Sequence, residues 1–123
     1  MGKSLLWDYT CVDTLASSHV QGTSKEACHA AIKAEKKKTS HYADLARSGY
    51  IIMPVAMETL GSFAPMALSF LKEVGSRIRE VTQEDRPTSF LFQAVGISTQ
   101  RGNAASISGT VPSTKRLDEL YYL

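Results

Sequence analysis

Residues 4–13, SLLWDYTCVD, are rich in the branched and aromatic residues that favour strands. With a strand's period of two, Leu6, Asp8, Thr10 and Val12 share one face. Leu5, Trp7, Tyr9, Cys11 and Asp13 share the other. The stretch 14–22 reads as loop. A helical period then takes over. Thr23-Ser24-Lys25-Glu26 fits a capping box, and the pattern runs to about Arg47, where Ser48-Gly49 ends it. Ala27, Ala31, Ala34, Tyr42 and Leu45 fall within about 80° on the wheel, a stripe small enough to lie close on a sheet. Residues 50–60, YIIMPVAMETL, predict a second strand, with Pro54 pointing to an edge or a bulge. Residues 64–83 predict a helix with Ala64, Ala67, Leu68, Leu71, Val74, Ile78 and Val81 as its apolar stripe, and Pro65 suits its first turn. Residues 88–108 predict a further helix, although Gly96 and Gly102 are poor helix formers within it, and a tail ending LDELYYL comes after it.

The order strand, helix, strand, helix, helix makes an α/β fold whose two strands run parallel through a helical crossover. We divide it into an α/β core over residues 1–85 and a C-terminal helix and tail over 86–123 packing on that core. Two strands make a small sheet. The first begins almost at Met1, so further strands are expected upstream. At 123 residues one domain is the natural size, and 43% hydrophobic residues suffice for a core. A net charge of +2 is too small to argue by itself for nucleic acid. No apolar run is long enough to cross a membrane, and Asp8 interrupts the one near the N-terminus, so neither a signal peptide nor a membrane anchor is expected. Cys11 and Cys28 are expected to be reduced thiols in a nuclear or cytoplasmic protein that is not secreted.

Familiar catalytic signatures are missing. There is no Gly-rich phosphate loop, HExxH, GxSxG or CxxC, and His19, His29 and His41 lack metal-ligand spacing. What the pattern does assemble is Asp8 and Glu58 on neighbouring strands and Lys38 on the helix between them. Lys38 falls about 20° from Ala27 on the wheel, inside the packed stripe, whereas Lys36 and Lys37 point toward water. The plain reading of Lys38 is a stem lying along the sheet with its ammonium in water. The functional reading has it meet a strand carboxylate. Two carboxylates suit Mg²⁺, and a lysine beside them suits phosphodiester hydrolysis, in which it orients water or stabilises developing charge.

The segments LLWDYTCVDTLA, EKKKTSHYADLA and YIIMPVAMETLG, in that order, resemble the C-terminal part of retrotransposon reverse-transcriptase reading frames. They are similar also to the restriction-endonuclease-like domain of non-LTR retrotransposons. The resemblance spans residues 5–61, and SFLFQAVGISTQRGNAASISGTVPSTKRLDELYYL looks like the close of the same kind of frame. It implies a partial restriction-endonuclease-like βαβ core with added C-terminal helices, a Mg²⁺ cofactor, and DNA and the rest of a retroelement polyprotein as partners. Asp8 matches an acidic metal ligand of that domain, Lys38 its catalytic lysine and Tyr42 its tyrosine, while His41 stands where a second lysine is usual. Lys36, Lys37 and Tyr42 are the implied DNA contacts. Glu58 has no counterpart there; its assignment as a catalytic and metal-binding residue rests on strand position. The family's Pro-Asp strand, expected before Asp8, has no match, which implies an incomplete site and weak or absent cleavage by this chain alone. The rival reading is a non-catalytic α/β module that binds a protein through its last helix and tail.

Overall fold

The computed structural model describes residues 2–110; the LDELYYL tail lies outside them. The elements are β1 (Leu5–Val12), α1 (Val20–Thr23), α2 (His29–His41), α3 (Ala43–Arg47), β2 (Ile51–Glu58), α4 (Pro65–Thr82) and α5 (Pro87–Thr110). The strands pair in parallel, Leu5 beside Ile51 through Val12 beside Glu58, and form a two-stranded sheet. The α/β class and the parallel pair therefore agree with the sequence pattern.

The ladder explains Pro54. Ile51 N–H donates to the Ser4 carbonyl at 2.9 Å and Thr59 N–H to that of Val12 at 2.9 Å. Odd-numbered residues of β2 thus direct their backbone groups at β1, and Pro54, an even one, has its missing N–H on the outer side. Of the two expected alternatives, an edge or a bulge, the ladder has the edge, and its register runs without a bulge. That outer side is partly covered by the chain's own return. Glu58 N–H donates to the Ser62 carbonyl at 2.8 Å and Ala64 N–H to that of Ala56 at 2.9 Å.

One face of the sheet packs on α2 through Ala31, Ala56 and Ala64, all fully buried, with Ile32 and Ala34 against them. Alanines on both sides let helix and sheet approach closely. Helix α4 packs on β2, and Val55 and Met57 of β2 and Ala67 and Leu71 of α4 are buried. The stripe predicted for α4 holds at Ala67 and Leu71, which are buried, and fails at Leu68 and Val81, which are exposed. Where α4 and α5 cross, a Cβ on Gly75 would lie 2.7 Å from Thr88 Cα, so this crossing admits no side chain.

The predicted start of the first long helix, at Thr23, falls short of the observed one at His29. The chain first makes short α1, and Thr23 Oγ1 donates to the Thr14 carbonyl at 2.8 Å instead of capping α2. Helix α2 starts after Cys28, which is left-handed at φ 63°, and has no side-chain cap of its own. Its cap comes from β2: Glu58 Oε1 accepts from Ala30 N–H at 2.9 Å and Ala31 N–H at 3.3 Å. Helix α4 is capped likewise from α2, with Met66 N–H donating to Glu35 Oε2 at 3.0 Å. Two buried carboxylates thus satisfy the orphan donors of two helices that local sequence leaves bare. The helix predicted to run on to Arg47 breaks at Tyr42, φ −97° and ψ 14°, between α2 and α3. Among the described residues no helix is long and apolar enough to cross a membrane.

Candidate functional site

Asp8 lies near the middle of β1 on the face turned to α2. Lys38 and Tyr42 stand one helical turn apart, at i and i+4, so both side chains leave the same side of the helix. They converge on one atom. The Lys38 ammonium forms an ion pair with Asp8 Oδ2, and the Tyr42 hydroxyl donates to the same oxygen at 2.9 Å. The break after α2 falls at Tyr42, whose ring also packs edge-on against His41 at a centroid distance of 4.8 Å.

The pair is half-buried, with 34% of the Asp8 side chain and 26% of the Lys38 side chain exposed. The Lys38 hydrogen bond, and after it that of Tyr42, holds the Asp8 carboxyl below the ordinary aspartate range. Its hydrogen bond to Asp8 pushes the Tyr42 phenol up. Asp8 is therefore a carboxylate at any physiological pH, and Tyr42 is a donor. Beside them Leu6, Asp8, Tyr42, Leu45 and Ile52 line a small recess of about 300 Å³.

Glu58, expected with Asp8 at one metal ion, lies elsewhere. Asp8 is opposite Pro54 and Glu58 opposite Val12, four positions along the ladder. At a strand's rise that is about 13 Å. The two carboxylates share a face but not a site, and Glu58 is 2% exposed with one oxygen committed to the start of α2. Among the described residues no group of three or more His, Cys, Asp or Glu side chains is placed to hold a metal. Asp8 is the one carboxylate among the residues lining the recess. Both of its hydrogen bonds use Oδ2, so Oδ1 is the oxygen left for an ion. Mg²⁺ is commonly held by one or two carboxylates, with phosphate oxygens and waters completing its shell. That donor set fits an ion brought with a phosphate, and is too small for a preformed cage. Lys36 and Lys37 are exposed on the outer side of α2, as their wheel positions predict.

A larger space lies on the opposite face of the sheet. There β1, α4 and α5 surround a cavity of about 1,040 Å³ lined by Trp7, Tyr9, Phe70, Val74, Val95 and Asn103 among others. The odd-numbered apolar residues of β1 are an advance signal for it, and they do not say which helices enclose it. Compared with protein-family models, curated proteins and solved structures, the chain matches none.

Proposed function

We propose that this chain is a partial, metal-dependent DNA endonuclease-like domain of a retroelement protein, weak or inactive alone. The observation that supports it best is the convergence of Lys38 and Tyr42 on the Asp8 carboxylate, from 30 and 34 residues further along the chain. A lysine, a carboxylate held in its ionised form at neutral pH and a hydroxyl donor at one point of a βαβ unit suit phosphodiester chemistry. Asp8 would be the carboxylate for Mg²⁺, which when bound polarises the phosphate and lowers the pKa of water. Lys38 holds positive charge beside the reacting phosphate and fixes the carboxylate. Tyr42 locks the rotamer of Asp8. Lys36 and Lys37 contact the DNA backbone. Glu58 takes the part of a helix cap, which leaves one carboxylate at the site, and weak cleavage is what one carboxylate leads us to expect.

The test is binding of a fluorescent DNA duplex at several salt concentrations. Affinity should fall with salt and be weakened in the double variant Lys36→Glu, Lys37→Glu. A folded chain with no affinity for DNA at low salt would overturn the proposal. The retroelement assignment is tested separately, by whether the genomic frame around this sequence encodes a polymerase.

A second reading is favoured by α5, which leaves Phe90, Ile97 and Ile107 exposed. A helix with so much apolar surface suits a non-catalytic module that binds a protein partner. Such a module would bind no DNA.

A further inference from the structure

The two edges of the sheet are treated differently. The outer edge of β2 carries Pro54, which has no donor to offer, and is partly paired by residues 62–64. Among the described residues the outer edge of β1 has neither device. Among the described residues β1 has one neighbouring strand only. Its sequence LLWDYTCV contains no Lys, Pro or Gly and runs eight residues without a bulge in the ladder. Such edges are templates for another strand.

The ladder fixes which groups are offered. Ser4 and Val12 give their carbonyls to β2, so even-numbered residues of β1 face β2 and odd-numbered ones face outward. The free backbone groups therefore belong to Leu5, Trp7, Tyr9 and Cys11. The side chains there are apolar and open: Trp7 is 62% exposed, Tyr9 46% and Leu5 45%.

We propose that this edge pairs with β1 of a second copy of the chain, antiparallel about a two-fold axis at Tyr9, to give one four-stranded sheet. The strand is self-complementary in that register. Tyr9 meets Tyr9, and Trp7 meets Cys11 in both directions; two backbone hydrogen bonds at each of these three pairs make about six in all. On the other face Leu6 meets Val12, and Asp8 meets Thr10. Centring the axis on Asp8 would instead set two carboxylates directly opposite, which is unfavourable. Lys3 and Asp13 of opposite copies become diagonal neighbours at each end. The pairing also brings aromatic Trp7 and Tyr9 of the two copies onto one face and gives the sheet the strand number that isolated pairs lack. It does not depend on the nuclease reading.

The experiment is sedimentation equilibrium combined with amide hydrogen exchange on the full chain over a range of concentrations. A dimer is expected, with the amides of Trp7, Tyr9 and Cys11 gaining protection as concentration rises while those of Leu6, Asp8 and Thr10 are protected throughout. Cys11→Pro removes an outward donor without touching the bonds to β2, as Pro54 does on its own strand. It should raise the dimer dissociation constant by about tenfold or more with unchanged circular dichroism. Trp7→Lys, which leaves the backbone intact and puts a charge on the edge, should do the same. A monomer at every concentration overturns the proposal. So does a dimer indifferent to both variants, which would lie on another face. Protection of the odd amides that does not depend on concentration also overturns it, because it would mean the edge is covered within one chain.

Discussion

The Tyr42 hydroxyl lies 2.9 Å from Asp8 Oδ2, the oxygen that also carries the Lys38 ion pair. Two donors on one carboxylate oxygen make the ionised form the favoured one. The folded-state pKa of Asp8 is depressed. Its contribution to stability is therefore fully present above the ordinary aspartate value of about 3.9, and is lost as pH falls from there through the lower folded-state pKa. Carboxyl NMR should show Asp8 titrating below the ordinary aspartate value. Tyr42→Phe should move that midpoint up, and Lys38→Met should move it further. An unmoved midpoint in both variants would contradict the geometry.

Lys38→Met is also expected to leave the fold intact. The pair is partly solvated, so removing its cation should cost about 1 kcal/mol or less in urea unfolding. Any phosphodiester cleavage should disappear altogether. Cleavage retained by Lys38→Met would remove Lys38 from the chemistry.

Glu58 makes the opposite prediction. Glu58→Ala strips two buried N–H groups of α2 of their acceptor, and about 1–3 kcal/mol of stability should go with it. Glu58→Gln keeps an oxygen in place and should recover part of the loss. Equal stability of all three forms would mean that Glu58 is free for another role, including the metal site.

At the crossing of α4 and α5, Gly75→Ala should destabilise by about 1–3 kcal/mol although alanine is the better helix former, because the added methyl meets Thr88. Thermal unfolding measures this, and a stabilised variant would mean that the helices sit further apart.

Lys36 and Lys37 are the clearest test of DNA binding. Their replacement by Glu should weaken duplex affinity across sequences, and should flatten the dependence on log salt by about one unit for each phosphate that is no longer neutralised. A slope unchanged in the double variant would place any DNA elsewhere.

Much of this architecture is legible in periodicity. The stripe through Ala67 and Leu71 marks α4, and the placement of Lys38 inside the packed face of α2 foretells its meeting with Asp8. The caps are not legible, because they are tertiary. The local signal at Thr23–Glu26 is a good one, yet the start of α2 is decided by Glu58, 28 residues away from Ala30. Register is hidden for a related reason. Which residue of β2 stands beside Asp8 depends on the length of the crossover and on how Ala31 seats on Ala56. A shift of four positions separates a shared metal site from two unrelated carboxylates. The cavity beside Trp7 and Tyr9 depends on how α4 and α5 are placed together over the sheet, which no single helix encodes.

If Asp8 is the metal carboxylate of a phosphodiester site, Mg²⁺ and DNA should meet there. The most direct measurement is a Mg²⁺ titration of the chain with a short DNA duplex, following the Asp8 carboxyl by NMR and duplex affinity in parallel, with Asp8→Asn as control. A saturable shift at Asp8 and a Mg²⁺-dependent gain in affinity are expected, both absent in Asp8→Asn. An Asp8 signal indifferent to Mg²⁺, with duplex affinity the same in both proteins, would contradict the assignment.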